Sequence, residues 1–174
     1  MIKPFSLQHW IDEHRDILKP PVGNKVVFRD STFFVMVVGG PNERTDFHVN
    51  ESDEFFYQLE GAMVLRIISA KGEMEDIVIG EGEVFMLKAK TPHSPQRRAE
   101  TVGLVVEKVR TQEEQDGLQW YCEKCYTKLY EEFFHLTDIE TQFQPVFKRY
   151  EESGLGACRQ CGHRNGKTWS LRVC

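Results

Sequence analysis

From Val26 to Lys108 the chain is a succession of short apolar or alternating runs: Val26 to Phe28, Thr32 to Val38, Phe55 to Leu59, Met63 to Ile68, Asp76 to Ile79, Val84 to Leu87 and Val102 to Lys108. β-branched and aromatic residues dominate these runs, and turn formers separate them at Gly39-Gly40-Pro41, Glu60-Gly61, Lys71-Gly72 and Gly80-Glu81-Gly82. Short strands spaced this way predict a mainly β fold, a sandwich or a barrel. The flanks carry a helical period instead. Behind a Ser6 cap, Leu7, Trp10, Ile11, Ile17 and Leu18 fall near one face of a short helix that Pro20-Pro21 stops. Asp138 to Glu152 places Ile139, Phe143, Val146, Phe147 and Tyr150 at helical spacing, with Pro145 kinking or shortening the element.

Composition refines this picture at one place. Beyond Thr111 a charged stretch, Gln112 to Asp116, leads into cysteine-bearing sequence, which predicts a catalytic domain at 1–111 and a small C-terminal segment at 112–174. Four of the five cysteines form two C-x-x-C pairs, Cys122/Cys125 and Cys158/Cys161, and Cys174 is left over. In a reducing compartment such pairs mean metal or redox chemistry, and four thiolates satisfy zinc or iron alike in a closed tetrahedral site. The 32 residues between Cys125 and Cys158 exceed a compact zinc ribbon. Closure remains feasible because loop entropy grows only logarithmically with length.

Charge and hydropathy exclude some partners. The net charge of -5 comes with Lys and Arg interleaved among Asp and Glu, which argues against nucleic acid as a partner. No apolar run approaches the roughly 20 residues that span a bilayer, and Met1 to Ser6 lacks the apolar core of a secretory signal. The expectation is a cytoplasmic protein with no membrane partner.

The candidate chemistry sits in two stretches. Thr45 to Glu54 supplies His48 and Glu54, and Pro92 to Arg97 supplies His93. Two imidazoles and one carboxylate suit a ferrous ion held on one face, with adjacent positions open for substrate and dioxygen, so an oxygenase is the first reading. Arg44 stands four residues before His48 and Arg97 four after His93, and a guanidinium fork suits a carboxylate. Glu107 ends an apolar run on the face of Gly103 and Val105, where a buried carboxylate demands a partner. His9, His14, His135 and His163 read as ordinary surface or core residues, Arg98 as solvated, and Glu43, Glu51 and Asp53 as a hydrated rim.

The β region resembles the cupin superfamily at both signature motifs: His48, five residues, Glu54, six residues, Gly61; then Gly82, ten residues, His93. Asp46 stands where that pattern usually begins with a histidine, and Lys88 and Lys90 replace the usual Pro and Gly. At finer grain the chain resembles the 3-hydroxyanthranilate 3,4-dioxygenase family through Leu18 to Asn24, Val37 to His48, Glu54 to Gln58, His93 to Arg97, Val105 to Glu107 and Trp120 to Cys122. The resemblance implies a cupin double-stranded β-helix, a jelly-roll barrel with a short N-terminal helix and a small C-terminal metal knuckle. It implies an Fe(II) enzyme that opens 3-hydroxyanthranilate with O2 to 2-amino-3-carboxymuconate semialdehyde, which cyclises to quinolinate on the kynurenine route to NAD. Its implied ligands for the catalytic iron are His48, Glu54 and His93, with Asp46 beside the metal rather than on it. Arg44 and Arg97 would hold the substrate carboxylate, Glu107 would face the amino and hydroxyl end and take a proton, and Asn24 and Phe56 would line the pocket. Cys122, Cys125, Cys158 and Cys161 resemble a rubredoxin-like site for Fe or Zn, and related chains are homodimers. Two alternatives stand: a non-catalytic cupin that anchors a small anion through its metal, and a cupin dioxygenase or isomerase for another substrate. Arg44, Arg97 and Glu107 together favour the aromatic amino acid.

Overall fold

In the computed structural model, residues 3–19, 23–28, 31–42, 44–139 and 141–166 are described. Among the described residues, eleven strands and two helices follow one another as α1 (Leu7–Glu13), β1 (Asn24–Phe28), β2 (Phe33–Gly39), β3 (Asp46–Val49), β4 (Glu54–Glu60), β5 (Met63–Ile68), β6 (Met74–Ile79), β7 (Val84–Leu87), β8 (His93–Arg97), β9 (Val102–Lys108), β10 (Asp116–Tyr121), β11 (Lys128–Phe134) and α2 (Phe143–Ser153). One sheet runs β1-β2-β9-β4-β7 and the other β11-β10-β3-β8-β5-β6, all antiparallel where pairing is recorded. This is the jelly-roll barrel that the strand pattern and the resemblance predict.

Alternation along each strand sorts side chains into an inner and an outer face. Met36, Phe56, Met63, Leu65, Ile79, Leu87 and Val105 pack together between the sheets. On the outer face of the first sheet, Val37 and Val102 meet Ile11 and Leu18. Ser6 caps α1 by accepting from the His9 backbone at 3.2 Å. The helix is shorter than expected: turns follow from His14, so Leu18 reaches the core while Ile17 is exposed, contrary to its predicted place on the buried face. Pro20-Pro21, the predicted stop, lies outside the described residues, as do Glu43 and Cys174.

The segment after Thr111 extends the second sheet. β10 pairs with β3 from Gly117↔Val49 to Trp120↔Asp46, and β11 pairs with β10. Helix α2 lays Phe143, Val146, Phe147 and Tyr150 against Leu118, Trp120 and Leu136, with the Tyr150 ring stacked on Trp120 at 4.3 Å. α2 begins only at Phe143, which leaves Pro145 in its first turn, where a missing N–H costs nothing. The Gln142 side chain accepts from the Thr137 and Asp138 amides just before the helix.

Candidate active site

Register brings the predicted chemistry to one end of the barrel. On the second sheet His48 and His93 are direct cross-strand partners, and on the first Glu54 and Glu107 are. All four are buried and all face inward, so two histidines look across the barrel at two carboxylates. The same parity puts Asp46 beside His48, Arg97 beyond His93, Phe56 and Gln58 beyond Glu54, and Gly103 and Val105 before Glu107.

His48, Glu54 and His93 each offer one donor atom, all within 4.8 Å of one another. The outward nitrogens are already used. His48 Nε2 lies 2.6 Å from Asp116 Oδ2 and His93 Nδ1 lies 2.9 Å from the Thr91 carbonyl, and both partners are acceptors. Those nitrogens therefore carry protons, leaving His48 Nδ1 and His93 Nε2 to face Glu54 at 3.7 and 3.0 Å. Two imidazole lone pairs and a carboxylate converging on one point are a donor set that fits a divalent cation. Burial lowers His48 despite the facing Asp116, which favours the neutral ring a metal needs. Burial opposes the charge of Glu54 and of His93, but their mutual contact wins: Glu54 is held below the usual carboxylate range and His93 above the usual imidazole range. Asp46 is not among these converging donors; it pairs with Arg44 through two contacts, Nε to Oδ1 at 3.1 Å and Nη2 to Oδ2.

Two carboxylates directly opposite on adjacent strands repel, and a buried network answers that repulsion. Asn50 donates to Glu54 at 2.7 Å and to Glu107 at 3.1 Å. Arg110 Nη2 reaches Glu107 at 2.6 Å and Asp116 Oδ2 at 2.5 Å, while its Nε donates to Asp116 Oδ1 at 2.7 Å. The partner that Glu107 demanded is therefore Arg110, and through Asp116 it continues to His48. Burial and the facing Glu54 charge still push the Glu107 carboxyl well above its ordinary range, against the pull of Arg110. Asn50, Arg110 and Asp116 were not anticipated from sequence. Asp116 closes the charged stretch Gln112 to Asp116 and belongs to no motif, and only the need of a buried Glu107 for a partner points toward Asn50 and Arg110.

A pocket opens onto this cluster, lined among others by Asn24, Arg44, Asp46, Phe56, Arg97 and Phe143. Asn24 and Phe56 thus both stand in its wall. Arg97 is 3% exposed, has no ion pair among the described residues, and leaves Nε without a partner. Burial alone drags its guanidinium down to about 10. Arg44 is more open and lies over the Phe143 ring at 5.6 Å, and that ring in turn lies 5.4 Å from His48. Arg98, Glu51 and Asp53 are exposed as expected, the last two paired with Lys90 and Lys88.

A family model described as 3-HAO, 3-hydroxyanthranilic acid dioxygenase, matches residues 1–151. The chain belongs to this family. Among curated relatives named 3-hydroxyanthranilate 3,4-dioxygenase, that of Xanthomonas euvesicatoria pv. vesicatoria is 56% identical over 164 residues, covering 94% of this chain and 92% of the relative. That of Bacillus cereus is 44% identical over 163 residues, covering 93% and 91%. Among solved structures, a cupin-2 domain protein from Shewanella frigidimarina aligns at TM-score 0.47 and 15% identity over 59% of this chain and 99% of its own.

The second cysteine pair of this 3-hydroxyanthranilic acid dioxygenase family member, Cys158 and Cys161, lies beyond the family match yet folds against the first. All four sulfurs lie within 4.8 Å, with Cys122 to Cys161 and Cys125 to Cys158 at 3.5 Å. The two knuckles repeat one design: the Tyr126 amide donates to the Cys122 carbonyl and the Gly162 amide to the Cys158 carbonyl, each at 2.9 Å. Tyr126 (φ 59°) and Gly162 (φ 73°) both turn left-handed to do so. Four converging thiols with no disulfide suit a tetrahedral metal.

Proposed function

We propose that the chain is an Fe(II)-dependent dioxygenase that opens the ring of 3-hydroxyanthranilate with O2 to give 2-amino-3-carboxymuconate semialdehyde. Family membership supports the reaction. The observation that carries it to these residues is the buried, unpaired Arg97 in the same pocket as three inward-facing donors, because that combination needs an anion and a cation at once.

His48, Glu54 and His93 would hold the iron. A ferrous ion there supplies neighbouring positions for the substrate's vicinal amino and hydroxyl groups and for O2, and the electron density that lets O2 react with the ring. Arg97 takes the carboxylate, which fixes the ring's in-plane rotation, and Arg44 closes on the same group from the pocket mouth. Glu107, in the pocket wall opposite Glu54, accepts the proton that the hydroxyl releases on binding. Phe56, Val105, Ile139 and Phe143 give the ring an apolar slot. The four-cysteine site holds Fe or Zn and stays outside the chemistry. The unpaired edge strands β6 and β7, with exposed Val78, Val84 and Met86, support a homodimer.

The test is oxygen uptake by the Fe(II)-loaded protein. Uptake should be equimolar with 3-hydroxyanthranilate consumed. Tight substrate binding without uptake would instead identify a metal-anchored anion binder.

A further inference from the structure

Arg97 belongs to one sheet, yet its guanidinium lies against the other. Its Nη1 donates to Gln58 Oε1 at 2.9 Å, while Gln58 Nε2 donates to the Glu60 carbonyl at 2.8 Å, which fixes which end of the amide faces the arginine. Gln58 is itself 1% exposed. Its cross-strand partner is Gly103. A Cβ at Gly103 would stand 2.6 Å from Arg97 Nη1, 2.9 Å from Nη2 and 3.0 Å from Gln58 Oε1. The plane of the guanidinium thus occupies the space that any other residue at 103 would fill. Gly103 does not need its conformational freedom here, since its φ lies outside the left-handed region. Its missing side chain is what matters.

We propose that Gln58 and Gly103 form a built cradle that sets the position of Arg97, and that this pair determines the preference for an aromatic substrate bearing a carboxylate. The inference rests on the reading of Arg97 as the carboxylate's partner. Arg97 lines the pocket whereas Gln58 and Gly103 do not, so both act on the substrate through Arg97 as positioning residues. A neutral amide is the suitable anchor: it satisfies one guanidinium N–H without neutralising the cation, leaving the charge for the ligand. A glutamate in its place would form a bidentate pair with Arg97 and compete with the substrate.

Two variants separate this role from a general structural one. In Gly103→Ala the clashing atoms are the far end of a flexible side chain, so the fold persists while the guanidinium shifts. Gln58→Glu keeps the shape, adds a negative charge beside Arg97 and removes the donor that Gln58 Nε2 offers the Glu60 carbonyl. The substrates are 3-hydroxyanthranilate and 2-aminophenol, which has the same chelating pair and no carboxylate. Each variant should lose about 10-fold or more in kcat/KM for 3-hydroxyanthranilate, mainly through KM, with less than about 2-fold change for 2-aminophenol and unaltered iron content. Arg97→Met should erase the preference between the two substrates. If Arg97→Met preserves the preference, the carboxylate assignment fails. If Arg97→Met erases it while Gly103→Ala and Gln58→Glu leave it intact, or if these two slow both substrates equally, the cradle is overturned and the assignment stands.

Discussion

Glu107 illustrates how much a single buried carboxylate constrains its surroundings. Glu107→Gln keeps the hydrogen bond capacity toward Asn50 and Arg110 in part but can no longer accept a proton, so turnover should drop by about 100-fold or more with bound iron unchanged, as read by steady-state kinetics and metal analysis. Equal loss of both would contradict its role. Arg110→Met strands two buried carboxylates; unfolding in urea should show a loss of about 3–5 kcal/mol, and metal affinity should weaken about 10- to 100-fold because Asp116 no longer holds His48 firmly. An unchanged metal titration would remove Arg110 from the account. The donor types and their register are readable in the chain because His48, Glu54 and His93 sit in local motifs whose parity fixes their face. Asn50, Arg110 and Asp116 are not, because a charge network is closed by strand pairing between distant segments, and each of these residues alone looks like an ordinary surface polar group.

Helix α2, seated on β10 and β11, supplies through Phe143, Gln144 and Phe147 a pocket wall that a β-pattern alone does not foretell. β10 begins inside a stretch that reads as a charged linker, since Asp116 and Gln119 break its apolar pattern; both are buried against tertiary partners, Asp116 on Arg110 and Gln119 on Glu131. β8 is similarly hidden by Pro95, tolerated where β3 pairs with it only at His48↔His93. Phe147→Ala, which removes a ring packed edge-on to Trp120 at 6.0 Å, should cost about 3–5 kcal/mol and raise KM by loosening the pocket wall. A near-wild-type KM in a destabilised variant would confine Phe147 to packing. Arg149 clamps α2 to β11 through Glu132, and that hydrogen bond, opposed by partial burial, lowers the Glu132 carboxyl below its ordinary value of 4.5. Because the folded-state value is depressed, this contribution is present above about pH 4.5 and fades as acid protonates the folded form below it. Arg149→Ala should therefore lower the unfolding free energy slightly at pH 7, by the roughly 0–1 kcal/mol of an exposed pair, and by less at pH 3. A larger deficit at pH 3 would contradict the assignment.

Across the protein, β10 runs between two candidate metal centres, with Asp116 on His48 at one end and Cys122 just past the other. Removing the thiolate-bound metal by chelation, or Cys158→Ser, should expose the C-terminal knuckles to proteolysis while iron remains at His48, Glu54 and His93; loss of ring cleavage in a still-folded protein would contradict a purely structural role. The barrel and its inward chemistry followed from strand alternation and two motifs, whereas the closing of its mouth by α2 depended on apolar packing that sequence spacing only outlines. The most direct test of the whole reading is electron paramagnetic resonance of the anaerobic Fe(II) protein with nitric oxide, an O2 surrogate, before and after 3-hydroxyanthranilate is added. With only His48, Glu54 and His93 as protein ligands, a high-spin iron–nitrosyl signal should form, change shape when substrate binds, and vanish in Glu54→Ala. A protein that binds iron at this site but gives no such signal, or loses it when substrate enters, would show a filled coordination sphere and contradict the account.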